Sequence, residues 1–398
     1  MRRDPLFAWT GTRPVATSRL FPEFRGRDPY PVSDTPEVQS LLSENSVVAM
    51  AVSGGKDSQA MAIRLTRHLD EICHSGPRVL IHSDLGRVEW RDSLPVCERL
   101  AKRLGLELIV VRRSAGDMMD RWETRWSNNL ARYSDLSCVK VILPWSTPSM
   151  RFCTSELKTA VICSELARRF PGHKILSATG VRRAESSARA KMPILSLQPK
   201  LSRKNGTEGW NWNPIIEWET DEVYDYLEEM KEPLHEAYTV FGSSRVSCSF
   251  CIMGALDDLR AAARCTDNAQ IYQMMVALEI RSTFALQGNQ WLGDVAPHLL
   301  THEDRKRLSD SKERARLRVQ AESLISDRLL FQAGIPTVIP TQNEAEILAS
   351  VRARVSLILG IEVGFTDPQS IVQRYRDLIC DKADPSERAI PSLEEAFF

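Results

Sequence analysis

From about residue 46 the chain alternates short apolar runs with stretches of helical period. Val47–Val52 is apolar throughout and of strand length. A run with no polar side suits a strand covered on both faces. Over Asp57–Ile72, residues Met61, Leu65, Leu69 and Ile72 fall at i, i+4, i+8 and i+11, one face of a helix. RVLIHSD (78–84) predicts a second strand, followed by a helix over about Asp92–Leu104. LELIVVRR (106–113) predicts a third strand. A helix over about Ser155–Phe170 and a fourth strand in HKILSATG (173–180) follow. Strands alternating with helices predict an α/β fold, a parallel sheet flanked by helices. Past about 255 the strand pattern fades, and 257–330 and 343–380 read as mostly helical, with a loop at AGIPTVIPTQ. Residues 1–40 are rich in Pro, Arg and Asp and have no period. The expected organisation is an N-terminal arm over 1–45, an α/β domain over 46–255 and a mostly helical C-terminal region over 256–398.

Composition changes this picture little. The 398 residues carry 52 basic and 52 acidic side chains, so overall charge points to neither a nucleic acid nor a membrane, and only a local basic face stays open. The start, MRRDPLFAWTGTRP, lacks the apolar stretch of an export signal, and no apolar run approaches the roughly 18 residues of a membrane span. The expected location of the nine cysteines is therefore a reducing cytoplasm, where clustered cysteines read as metal or redox sites rather than disulfides.

The first strand ends in SGGKDS, Ser53–Ser58. Between a parallel strand and a helix, such a turn presents backbone N–H groups at the positive end of the helix. Gly54 and Gly55 permit backbone angles and approaches that a side chain blocks. Lys56 adds a point charge, Ser53 and Ser58 add hydroxyls, and Asp57 either caps the helix or helps hold magnesium. The segment predicts a phosphate cradle, though not the Walker A loop, which needs G-x-x-x-x-G-K-[ST]. The six residues resemble the PP-loop of the adenine-nucleotide alpha-hydrolase superfamily. That resemblance implies a Rossmann-like (HUP-type) sheet, bound ATP, and cleavage between the α and β phosphates with release of pyrophosphate.

Four further stretches resemble the phosphoadenosine phosphosulfate reductase family, in that family's order. HSDLGRVEWRDSL (82–94) places Ser83, Asp84 and Gly86 at a strand's carboxyl end, where open parallel sheets bind ligands; by itself it also reads as an Asp–Gly turn. RFCTSELKTAVI (151–162) implies phosphate contacts from Arg151 and Lys158. TGVRRAESSARA (179–190) matches G-x-R-x-x-E-S-x-x-R with Gly180, Arg182, Glu185, Ser186 and Arg189. Arginine holds phosphate bidentately, and Glu185 orients those arginines or holds a metal. NPIIEWETDEVYDYL (213–227) matches a structural stretch, with Thr220, Asp221 and Glu222 starting a helix. The resemblance spans about 46–255. It implies a catalytic set of Lys56, Asp57, Arg182 and Glu185. The implied nucleotide-binding set is Ser53, Gly54, Gly55, Lys56, Asp57, Ser58, Ser83, Asp84, Gly86, Arg151, Lys158, Gly180, Arg182 and Arg189.

Simple reductases of this family carry a catalytic cysteine in an ECGLH-like segment, whereas this chain ends SLEEAFF and its last cysteine, Cys380, lies in LICDKAD. RVSCSFC places Cys248 and Cys251 in a C-x-x-C unit, whose spacing lets both sulfurs reach one metal. Cys265 follows, and Cys153 stands in RFCT. Four thiolates can close a [4Fe–4S] or zinc site; a redox pair or plain buried thiols are the alternatives. The family resemblance, not the spacing, favours iron–sulfur. Phosphate loop, RFCT, GVRRAES, C-x-x-C and helical tail are most similar to the DNA phosphorothioation proteins of DndC/SspD type. This implies an ATP pyrophosphatase that uses ATP and Mg²⁺, takes sulfur from a cysteine desulfurase and serves sulfur incorporation into the DNA backbone, in bacterial DNA modification and phage defence. The alternatives are another PP-loop enzyme of sulfur metabolism, acting on a small molecule or RNA, and an ATP-binding scaffold. A homo-oligomer is left open.

The basic run between Arg182 and Lys204, followed by Trp210, Trp212 and Trp218, reads either as a track for DNA or as a solvated loop before core tryptophans. Arg121–Arg125 reads as part of a solvated helix or as a partner surface.

Overall fold

A computed structural model describes residues 29–383. Most of the expected N-terminal arm, and the SLEEAFF end, lie outside the described residues. Within them, helix α1 (Pro36–Ser43) starts at Thr35, whose side chain accepts the Val38 N–H at 3.2 Å. The chain then enters the sheet.

The sheet has six strands: β1 (Val47–Ala51), β2 (Arg78–Asp84), β3 (Glu107–Arg112), β4 (Lys174–Ala178), β5 (Leu195–Leu197) and β6 (Glu208–Trp212). They lie in the order β3-β2-β1-β4-β6-β5, all parallel except β5, which runs antiparallel to β6. The fold is Rossmann-like α/β. Ala49 sits opposite Val79 of β2 on one side and Ser177 of β4 on the other. Strand β1 reads as unbroken apolar because both its faces are covered. Val48 and Met50 pack towards α2 (Lys56–Glu71), α3 (Ser93–Leu104) and α7 (Thr220–Glu229), against Met61, Leu65, Leu100 and Tyr226. Val47 and Ala49 face Cys163 and Leu166 of α6 (Val161–Arg169).

The expected helix over 155–170 begins earlier and is irregular. A helical turn, α5 (Phe152–Thr154), runs through a π-helical turn at Ser155–Ala160 into α6. Such π turns widen a helix locally and recur near functional sites.

Strands β5 and β6 were not expected. They place Trp210, Trp212 and Trp218 in the core, at 8%, 0% and 2% exposure. The Nε1 of Trp212 donates to Ser33 O and that of Trp218 to Pro31 O, both at 2.8 Å. The reading of these rings as a surface for stacking bases is therefore corrected: β6 hydrogen-bonds to β4 and carries Trp210 and Trp212 inward, and Trp218 is buried in the turn that follows. The basic run before them is largely engaged too, with Arg182 on Asp57, Arg183 on Glu217 and Arg189 on Glu185.

A second apolar core is built from α4 (Met118–Ser134), α9 (Leu256–Arg264), α10 (Ala269–Ser282), α11 (His302–Glu322), α12 (Gln342–Leu359) and α13 (Pro368–Ala383). Trp122, Trp126 and Trp145 join Tyr272, Met275, Leu348 and Tyr375 in it. The helices after 255 thus share their core with residues inserted between β3 and α5. Among the described residues no helix is long and apolar enough to cross a membrane.

Candidate functional site

Strand order reverses about β1: β2 lies on one side and β4 on the other. In open α/β sheets the crevice at that switch point, outside the carboxyl ends of the strands, takes the ligand. Both flanking strands end there in the expected motifs, β1 in Ser53–Ser58 and β4 in Thr179–Arg182.

Gly54 has φ +75°, in the left-handed region that favours glycine. A Cβ there would lie 3.0 Å from the Ser93 carbonyl oxygen and 3.2 Å from the His235 ring. Gly55 is the N-cap of α2 and offers no capping side chain; in the first turn the Ser58 N–H donates to Gly55 O at 3.1 Å and the Lys56 N–H is taken by a side chain from outside the helix. Ser58 serves the turn internally: its Oγ accepts the Ser53 N–H at 3.2 Å and donates to Gly55 O at 2.8 Å. Gly180 lets β4 press on the loop, since a Cβ there would stand 2.6 Å from Asp57 O and 2.9 Å from Ser58 N.

The charged centre is a chain of side chains across this turn. Lys56, 5% exposed, places Nζ 3.0 Å from Asp57 Oδ2. Arg182, 2% exposed, donates Nε to Asp57 Oδ1 at 2.7 Å, and its Nη1 reaches Trp218 O and Thr220 Oγ1 at 3.2 and 3.3 Å. Glu185 accepts the Arg182 N–H at 3.0 Å and pairs with Arg189. The implied catalytic set Lys56, Asp57, Arg182 and Glu185 is thus one contiguous network. Burial first, then the charges of Arg151, Arg245 and Arg182, lower the pKa of Arg189. Four arginines therefore crowd one mouth, with Asp57 and Glu185 the carboxylates that temper them. Such an unbalanced cationic mouth suits a polyanion.

Several members of the site escaped the sequence reading. The Gln59 side chain donates to Gly54 O at 3.0 Å. Lys56 Nζ lies between the rings of Tyr224 and Tyr238, 5.6 and 5.7 Å from their centroids. Tyr238 Oη accepts the N–H groups of Lys56 and Val246, both at 3.2 Å. Nδ1 of buried His235 accepts the Ala237 N–H at 2.9 Å; burial pushes its pKa down to about 4. Apart from Gln59, these residues follow the fourth strand by more than forty positions, in segments whose local pattern says only "helix" or "loop".

Ser83, Asp84 and Gly86 stand at the end of β2, but their contacts shape the turn. Ser83 Oγ donates to Leu157 O; Asp84 accepts the Gly86 N–H at 2.6 Å and Arg112 Nε at 3.1 Å. Gly86, at φ +72°, has no room for a Cβ beside Asp117. Arg151 is exposed at the start of α5, and Lys158 lies in the π turn, within electrostatic reach of Cys248.

The four cysteines do not gather. Cys248 sits by Cys251, with Cys153 in electrostatic reach; burial, then the neighbouring Cys251, pushes its thiol well up. Cys265 is in the helical core instead, near Glu236 and the backbone of Asp267 and Asn268. Among the described residues no three His, Cys, Asp or Glu side chains form a metal-holding group. A cluster through Cys153, Cys248, Cys251 and Cys265 stays what the resemblance implies, and of these thiols Cys251 and Cys153 act electrostatically on Cys248. Magnesium fits differently, since it is commonly held by one or two carboxylates plus substrate phosphates, a role open to Asp57.

Comparison with known proteins agrees with the site in outline. The chain is 37% identical over 73 residues to the phosphoadenosine 5'-phosphosulfate reductase of Aliivibrio salmonicida (strain LFI1238), a match covering 17% of this chain and 26% of that protein. Solved structures with a similar course include the phosphate complex of phosphoadenylyl-sulfate reductase from Candida auris, at 13% identity and TM-score 0.32, covering 50% of this chain and 80% of that one. The U34-tRNA thiolase NcsA from Methanococcus maripaludis, with its [4Fe-4S] cluster, aligns at 17% identity and TM-score 0.34, covering 61% and 76%. Residues 47–252, from the first residue of β1 to just past the C-x-x-C, match the model of the phosphoadenosine phosphosulfate reductase domain. With more than half of its length inside that match, the chain belongs to the phosphoadenosine phosphosulfate reductase domain family.

Proposed function

We propose that the protein is a cytoplasmic ATP pyrophosphatase that activates a phosphate of the DNA backbone for sulfur incorporation, with sulfur supplied through a cysteine desulfurase. The observation that carries this reading is the Lys56–Asp57–Arg182 network under a side-chain-free turn. Two buried cations held by one carboxylate are pre-placed for a pyrophosphate leaving group, whose growing charge they stabilise at little reorganisation cost. A non-bridging oxygen of the acceptor phosphate attacks the α phosphorus of ATP. A new P–O bond forms, the bond to the bridging oxygen breaks, and pyrophosphate leaves with the electron pair. The terminal sulfur of a persulfide then forms a P–S bond at the acceptor phosphorus and AMP leaves with the bridging oxygen; a thiol reductant cleaves the remaining S–S bond to release the phosphorothioate. Mg²⁺ bound with the nucleotide would supply charge neutralisation, and Asp57 is the side chain placed to hold it.

Incubation with magnesium, DNA, a cysteine desulfurase and α-labelled ATP is expected to yield AMP and pyrophosphate. Lys56→Ala is expected to abolish AMP formation. ADP as the product, or undiminished AMP formation by Lys56→Ala, would overturn the reading.

A further inference from the structure

A cleft of about 760 Å³ lies outside the phosphate turn. One wall is α4, with Arg121 and Arg125; the other is the segment 149–159, with Arg151 and Phe152; Lys200 closes it from the loop after β5. Four cations line it against one carboxylate, Glu156. That carboxylate is spent on Arg121, which it holds through two bonds of 2.7 and 2.9 Å.

Arg125 has no such partner. Its Nε donates to Leu143 O at 3.1 Å. Burial, and then the charge of Arg121, lower its pKa, as expected of a cation short of a counter-ion. Both guanidinium groups lie over the buried Phe152 ring, at 4.6 and 5.1 Å from its centroid. The ring fixes their planes and leaves the guanidinium groups, not itself, to meet a ligand. The Arg151 side chain makes no hydrogen bond among the described residues, and its charge is felt at Arg189 in the phosphate-loop mouth. The cleft and the mouth therefore meet at Arg151.

A single phosphate would leave most of this volume empty, and a neutral molecule would leave Arg125 and Arg151 without a counter-ion. A strand with repeated phosphates satisfies both, since phosphodiester recognition rests on such spaced arginines. Met150, 46% exposed, adds apolar contact at the rim. We propose that this cleft seats the acceptor DNA strand as a single-stranded segment, with Arg121 and Arg125 on flanking phosphates and Arg151 at the junction with the nucleotide site. The inference rests on the function proposed above and adds to it the place where the acceptor lies.

The test is fluorescence anisotropy of a labelled single-stranded DNA 12-mer, with full-length protein, across a salt series. Arg125→Gln and the exposed-site variant Arg151→Glu are each expected to weaken binding about tenfold, and Arg125→Gln to lower the salt slope by about one. Arg125→Gln is expected to bind α-labelled ATP like the wild type in equilibrium dialysis. Equal DNA affinity in wild type and both variants would overturn the cleft assignment, whatever the ATP chemistry. Wild-type DNA binding that both variants weaken, with no AMP formed, would instead uphold the cleft and sink the pyrophosphatase reading.

Discussion

Asp57 is the hinge of the site at the residue scale, since one carboxylate holds both Lys56 and Arg182. On the proposed function, an arriving polyphosphate would compete with it for the same two cations and free an oxygen of Asp57 for magnesium. His235 supports this arrangement from behind Gly54. Its folded pKa, about 4, lies below the ordinary 6.5 because burial disfavours the charged ring. The folded state thus binds fewer protons than the unfolded chain between those values. The stabilisation is present above about pH 6.5 and is lost as pH falls towards 4. His235→Asn keeps a side chain able to cap α8 (Glu236–Thr239) but does not titrate. Urea melts at a series of pH values are expected to show the wild type losing about 3 kcal/mol relative to this variant between pH 6.5 and 4. Parallel pH profiles would show that the ring is not held neutral.

Among the elements, the legible ones were those whose burial shows in their own residues. Strand β1 and helix α2 announce themselves because Val47–Met50 is buried on both faces and Met61, Leu65 and Leu69 on one. Strand β6, EGWNW, has a glycine, an asparagine and an exposed glutamate, and only its pairing with β4 makes it a strand. Helix α10 holds a feature no period reveals. Glu279, fully buried, accepts the N–H groups of Leu286, Leu292 and Gly293 at 2.8, 2.7 and 3.0 Å. One carboxylate thereby fixes the chain after α10, where no regular element satisfies those amides. Glu279→Ala leaves three buried donors unpaired, each costing about 1–3 kcal/mol. A loss of at least about 3 kcal/mol in urea unfolding is expected; a loss below 1 kcal/mol would mean the loop re-pairs its amides elsewhere.

For the molecule as a whole, the site was half legible. SGGKDS and TGVRR mark the phosphate turn because each sits at the end of a strand the pattern already shows. Tyr224, Tyr238, His235 and Arg245 carry no such mark; only the fold brings them back over β1. Spacing along the chain likewise said nothing of the helical core that takes Cys265. That core also joins regions the pattern separates, since Trp122, Trp126 and Trp145 pack with helices beyond 255. A chain ending at Ala255 is expected to lose near-ultraviolet circular dichroism and to bind a hydrophobic dye, as those tryptophans lose their cover. A cooperative, dye-free unfolding transition would show that the sheet domain stands alone.

The Tyr238 hydroxyl spends both its lone pairs on the amides of Lys56 and Val246. Its own hydrogen is then left to donate, and its oxygen bridges the start of α2 and Val246, two residues before Cys248. A displacement of the Lys56 amide would therefore be passed through this oxygen to the backbone two residues before Cys248.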